Sequence, residues 1–223
     1  MGYKIAIDGP SGAGKGFVAQ SIANKLGILN IDTGAMYRSF ALYCKRNNIN
    51  IEDEKTINEA LKKVEIDIKC INNIVIAFLN GEDVSSQIRT EEIGFLASKV
   101  STFSTVRQYM LERQRRLAGE NNVVTEGRDI GTVVFPDAEL KIFLTASSEV
   151  RAKRRYIDLI AKNPSVTYEQ VLQDIKRRDE SDVTRKISPL VKTDDMIEID
   201  TTHLTKEQVV ENVLEQVKRK GLV

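Results

Sequence analysis

Gly9-Pro10-Ser11-Gly12-Ala13-Gly14-Lys15 follows the short apolar run Ile5-Ala6-Ile7 and precedes Val18 to Leu26, where apolar residues recur at helical spacing. A glycine-rich loop between a strand and a helix is the arrangement a polyphosphate needs. The glycines let the backbone curl so that successive N–H groups face one anion, the helix N-terminus adds partial positive charge, and Lys15 reaches the β- and γ-phosphates. The usual pattern continues with Ser or Thr, whose hydroxyl binds Mg²⁺, but this chain has Gly16 and Phe17. Magnesium is therefore expected to rest mainly on phosphate oxygens and water. The Phe17 side chain reads first as core packing on the opening helical turn, at the edge of a nucleotide-binding set running from Gly9 to Phe17.

Outward from the loop, four more apolar runs read as buried parallel strands: Ile28 to Ile31, Val123 to Thr125, Ile142 to Leu144 and Met196 to Ile199. Helical spacing recurs across Met36 to Cys44, Val106 to Leu117, Val150 to Ile160 and Val209 to Val217. This alternation predicts an α/β fold with a five-stranded parallel sheet flanked by helices. Val64 to Val84 breaks the pattern, with the turn-type pairs Asn72-Asn73 and Asn80-Gly81, and reads as a small antiparallel insert. No repeat or linker separates a second unit, so 1–223 is expected to be one domain, with the insert at about 62–86.

Composition narrows the function classes. Lys and Arg number 33 against 32 Asp and Glu, so no overall field draws the chain to nucleic acid or an anionic membrane. No stretch approaches the roughly 18 apolar residues of a membrane span. Two cysteines and one histidine are too few for a disulfide framework or a zinc site, so no protein metal ligand is expected. A soluble, cytoplasmic, unprocessed monomer fits these values.

A phosphate loop alone indicates a nucleotide and leaves the reaction open. The acceptor side is carried by Asp32-Thr33-Gly34-Ala35-Met36-Tyr37-Arg38, which places Thr33 near a helix start and Arg38 one turn inside it. Together with Ile7-Asp8-Gly9-Pro10, Leu79-Asn80-Gly81-Glu82-Asp83-Val84, Ile88-Arg89-Thr90, Glu126-Gly127-Arg128-Asp129-Ile130-Gly131-Thr132-Val133-Val134, Pro136-Asp137-Ala138, Lys141 to Ser147, and Arg178-Asp179 leading to Pro189-Leu190, it resembles the bacterial cytidylate kinases over nearly the whole chain. Glu126 stands where that family commonly has Asp. Kinases of this type often carry Gly then Thr after the lysine, so Gly16 conforms and Phe17 departs.

The resemblance implies transfer of a phosphoryl group from ATP to CMP or dCMP. It puts Arg38, Arg128 and Arg185 on the acceptor phosphate, Arg178 and Asp182 toward the ribose, and Ser98, Arg107 and Asp129 on cytosine. Lys15, Arg128 and Arg185 would then stabilise the transferring group. Positions 178, 182 and 185 are spaced to share one side of a helix. Arg151, Arg154 and Arg155 also share a helix face, in a segment, about 148–180, that the family uses as a mobile lid over ATP. Asp8, Asp32 and Asp129 are unranked candidates to orient magnesium or the acceptor. Adenylate- or shikimate-type kinases are the rivals of the same fold, and a catalytically weak nucleotide-binding regulator is the rival of another class. The 80–83 insert and the 127–132 run favour the cytidylate type.

Overall fold

The computed structural model describes residues 2–71, 74–161 and 163–223; the expected Asn72-Asn73 turn lies outside them. Five parallel strands form the central sheet: β1 (Lys4–Asp8), β2 (Leu29–Asp32), β6 (Val123–Gly127), β7 (Leu140–Thr145) and β8 (Ile197–Asp200), in the order β2-β6-β1-β7-β8. The central strand β1 pairs with β6 from Lys4↔Val123 to Asp8↔Gly127, and with β7 from Ile5↔Leu140 to Asp8↔Phe143. This register aligns the carboxyl ends of β1, β6 and β7. In an open parallel sheet that edge is where ligands bind.

Helices α1 (Lys15–Leu26) and α8 (Lys206–Arg219) cover one face, packing Val18, Ile22, Val210 and Val213 on Ile5, Ile7 and Ile142. The other face carries α2 (Thr33–Arg46) and α5 (Ser104–Ala118), whose Met36, Phe40 and Met110 meet Ile31 and Val123. Strands β3 (Ile66–Ile71), β4 (Ile74–Leu79) and β5 (Glu82–Asp83) form the expected antiparallel insert. The Asn80-Gly81 turn has positive φ at both residues, 49° and 83°, as a tight two-residue hairpin requires. Ile66, Ile68, Ala77 and Leu79 of the insert belong to the same apolar cluster as Met36 and Phe40.

Helices α3 (Glu54–Leu61) and α4 (Glu91–Val100) are additions to the expected pattern. Helices α6 (Ser148–Ile160) and α7 (Tyr168–Thr184) pack on each other through their own small cluster of Ala152, Val171 and Ile175, with Tyr156 and Tyr168 edge to face at 6.2 Å. A pair of helices with a separate core can shift as a unit. Between β6 and β7 the chain makes a five-residue π-turn, Ile130–Val134. Asp8 fixes it, its two carboxylate oxygens accepting from Ile130 N and Gly131 N at 2.8 Å each.

Candidate active site

The phosphate loop joins β1 to α1 and lies close against Leu144 and Arg151. A Cβ at Gly9 (φ +146°) would stand 1.9 Å from Leu144 O, and one at Gly12 (φ +79°) would stand 3.2 Å from Arg151 Cβ. Gly9 is needed for conformation and for space, whereas at Gly12 it is the positive φ that favours glycine, the Arg151 contact being only tight. Lys15 Nζ donates to Pro10 O at 2.7 Å, so the lysine folds back over its own loop. Its burial, with the Arg128 charge beside it, pushes the ammonium pKa down to about 7.

The loop forms one wall of a cleft of about 350 Å³. The opposite walls come from α2, α4, α5, the end of β6 and the end of α7. Thr33 Oγ1 donates to Glu126 O at 2.7 Å, which ties the start of α2 to the end of β6. Asp32 caps α2 by accepting from Ala35 N and lies 3.6 Å from both Arg38 and Arg89. Arg128 Nε donates to Asp182 Oδ2 at 2.7 Å. Burial works against the charged form of Asp182, but Arg128 and Arg185 outweigh it and hold the carboxyl below its ordinary range. Arg107, buried on α5, donates to Asp129 Oδ2 and to Ser101 O. Ser98, half-buried on α4, faces the same cleft.

Six arginines and Lys15 face four carboxylates here, so the cleft carries net positive charge on a partly buried surface. Burial pushes Arg178 and Arg185 below their ordinary values, with like charges adding to it, Arg128 for the first and Arg107 for the second. A bound anion relieves that cost.

Every acceptor-side residue expected from the sequence lines this cleft: Thr33, Arg38, Ser98, Arg107, Arg128, Asp129, Arg178, Asp182 and Arg185. Three expectations change. Helix α7 ends at Thr184, so Arg185 does not share its face with Arg178 and Asp182. The backbone turns extended at Arg185 (φ −59°, ψ 139°), Arg185 Nε donates to Ser188 O at 2.6 Å, and the turn carries its guanidinium to 3.7 Å from both Asp129 and Asp182. Phe17 is 44% exposed and lines the cleft, so it is no core residue.

The three arginines of α6 diverge instead of converging. Arg151 is buried between Ser11 O, Ala146 O and Asp179; Arg154 bonds Thr201; Arg155 pairs with Glu91 on α4. Of these only Arg151 touches the phosphate loop.

The structure also ranks the carboxylates. Asp8 spends both oxygens on the π-turn, and Asp129 is engaged by Arg107 with Arg185 nearby. Glu126, not considered as a ligand from sequence, faces the cleft beside Lys15 and Asp32; burial and then the Asp32 charge push its carboxyl above the ordinary value. Arg89, present in the sequence resemblance without a role, also lines the cleft. Only the folding of β6 against β2 brings Glu126 and Asp32 side by side, paired in register as Asp32↔Glu126.

Comparison with known proteins gives the family. Cytidylate kinase from Carboxydothermus hydrogenoformans is 49% identical over 218 residues, covering 98% of each chain. That from Caldanaerobacter subterraneus subsp. tengcongensis is 50% identical, covering 97% of this chain and 95% of the relative. A crystal structure of an uncharacterized protein from Eubacterium ventriosum shares the fold at a TM-score of 0.51 and 14% identity, covering 97% of this chain and 98% of that one. The cytidylate kinase family pattern matches residues 5–219, and the chain belongs to the cytidylate kinase family.

Proposed function

We propose that this protein transfers the γ-phosphoryl group of ATP to CMP or dCMP, giving ADP and CDP or dCDP. The observation that carries the reading is that one cleft joins two anion-binding sets, the phosphate loop with Lys15 and the cluster Arg38, Arg128 and Arg185, beside the Arg107–Asp129 pair. A donor polyphosphate and an acceptor phosphate held there meet across Lys15. Phosphoryl transfer needs little covalent help from protein and depends on position and charge. Lys15, Arg128 and Arg185 stabilise the negative charge spread over the transferring group. Arg178 and Asp182 hold the ribose, while Ser98, Arg107 and Asp129 read cytosine: a carboxylate accepts from the exocyclic amine, and a guanidinium donates to N3 or O2.

The residues fit a divalent cation accompanying ATP. Glu126 and Asp32 are paired carboxylates on this cleft; burial first and then the Asp32 charge raise the Glu126 pKa, a cost that a cation beside them would relieve. With no hydroxyl at Gly16 or Phe17, these two groups would hold Mg²⁺ through its water, and the ion would neutralise phosphate charge.

The chain acts as one domain, with 62–86 on the acceptor side and 148–180 as a lid that excludes water when the acceptor is in place. Among the described residues no helix is long and apolar enough to cross a membrane. We place the protein in the cytoplasm as a monomer. ADP release measured across CMP, dCMP, UMP, AMP and GMP tests the reading: CMP and dCMP are expected to give the highest kcat/KM. Release that is independent of any nucleoside monophosphate, or absent with all of them, refutes it.

A further inference from the structure

We propose that Phe17 and Lys206 form a donor-side contact, in which the Phe17 ring holds the Lys206 ammonium at the mouth of the phosphate loop to pair with the donor's nucleoside-proximal phosphate. The inference rests on the ATP-dependent reading above and assigns a residue from the far end of the chain to it. Lys206 Nζ lies 5.2 Å from the centroid of the Phe17 ring, within range of a cation–π contact. Phe17 is on the first turn of α1, lines the cleft, and is 44% exposed, unusual for an aromatic side chain with no core role. Lys206 opens α8, where the helix dipole disfavours a cation. Among the described residues it has no carboxylate within ion-pair distance, so its place over the ring is its one defined contact.

Topology says which part of the donor this pair meets. The acceptor-side strand β2 lies at one edge of the sheet and β8 at the other, with β1 and its loop between them. A donor whose terminal phosphate faces the acceptor must run its nucleoside end toward β8. The turn before α8 is fastened to the loop, since Thr201 Oγ1 contacts Ala13 O at 3.4 Å and is itself held by Arg154 Nη1 at 3.0 Å. Lys206 itself lies outside the residues that line the cleft and reaches its mouth through the Phe17 ring. Here a hydroxyl would ordinarily stand at 16 or 17. This chain has Gly16 and Phe17 there, and Phe17 instead sets a cation at the mouth of the loop, with Lys206 as the contact and Phe17 as the residue that positions it.

Titration calorimetry with ATP and with inorganic tripolyphosphate, on the parent, Lys206→Gln, Phe17→Leu and the double variant, tests this. Both side chains are exposed, so the variants should keep the parent's Tm. Lys206→Gln should weaken both ligands about fivefold, as for an exposed charged contact, and Phe17→Leu about threefold. The double variant should be no worse than Lys206→Gln alone, because the ring acts through the lysine. Lys206→Arg and Phe17→Tyr should restore binding, and KM for CMP should stay within about twofold. Tripolyphosphate binding unchanged by Lys206→Gln, or single effects that multiply in the double variant, overturns the inference. A parent that binds ATP as described but makes no ADP with CMP sinks the kinase reading, and leaves this contact to be judged by the affinities alone.

Discussion

Arg128 Nε and Asp182 Oδ2 lie 2.7 Å apart, joining the end of β6 to α7 across 54 positions of sequence. The carboxylate sets the direction of a guanidinium that is itself on the cleft wall, and Arg185 lies 3.7 Å from its other oxygen. Asp182→Asn should keep the shape but remove the charge that holds both arginines. A hydrogen bond to a charged group contributes about 1.5–3 kcal/mol, so kcat/KM for CMP should fall roughly 10- to 150-fold. KM for ATP should move little. Steady-state kinetics with each substrate varied separately checks this, and an equal loss on both sides would show a general disturbance of the cleft.

Lys15 gives a pH signature. In the free protein its pKa is pushed down to about 7, first by burial and then by Arg128. Above that pH the side chain is neutral, and a polyphosphate beside it favours the charged form again. ATP binding should therefore take up about one proton at pH 8.5, and donor affinity should decline as pH rises past about 7. Calorimetric titrations in two buffers of different ionisation enthalpy measure the uptake. Lys15→Met should abolish it, remove nearly all turnover, and leave the fold intact; turnover within a few-fold of the parent would contradict the role given to Lys15.

Asp129 lies between Arg107 and Arg185. Uracil presents an oxygen where cytosine presents an amine, so a carboxylate facing it meets acceptor with acceptor. Asp129→Asn can donate to uracil O4, and the CMP-over-UMP ratio of kcat/KM should shrink by about tenfold. The comparison of both acceptors in parent and variant decides it; an unchanged ratio would move base reading to other side chains.

Asp8 tests the scaffold. Burial raises its carboxyl to about 6 against two N–H bonds that pull the other way. Its folded pKa is thus above the unfolded value of about 3.9, so the native state keeps the proton longer as pH rises. The stability contributed by this group is present below about pH 4, falls between about 4 and 6, and is flat above. Asp8→Asn cannot titrate, so the difference in unfolding free energy between parent and variant should change by roughly 2–3 kcal/mol across that window. Urea unfolding at pH 4, 5, 6 and 7 measures it. A pH-independent offset of about 1–3 kcal/mol is expected in addition, because the Asn amide nitrogen donates and leaves one of the two N–H groups without an acceptor.

Local signals in the sequence were enough for the sheet and the loop. All five apolar runs became strands of the parallel sheet, Gly9 to Lys15 became the strand-to-helix turn, and Asn80-Gly81 became a hairpin turn. Each rests on short-range physics: apolar continuity for a strand buried on both faces, positive φ for glycine and asparagine, and helical period for a covered helix face. Helices α3 and α4 were missed because both are short and they pack on other helices, α3 on α5 and α4 on α2, rather than on the main sheet.

What the chain's own spacing could not decide was direction. Arg178, Asp182 and Arg185 are evenly spaced for one helix face, yet the helix stops at Thr184 and a turn, not the helix, aims Arg185. Arg151, Arg154 and Arg155 share a helix but are drawn to three different partners on α7, the β8 turn and α4. Phe17 reads as core from its chemistry, yet it faces the cleft and is exposed. Glu126 becomes a partner of Asp32 only when β6 pairs with β2. Secondary structure follows from neighbours in sequence, whereas the aim of a charged side chain is set by which opposite charges and carbonyls the packed elements bring within about 3–4 Å, a distance that only the tertiary structure fixes.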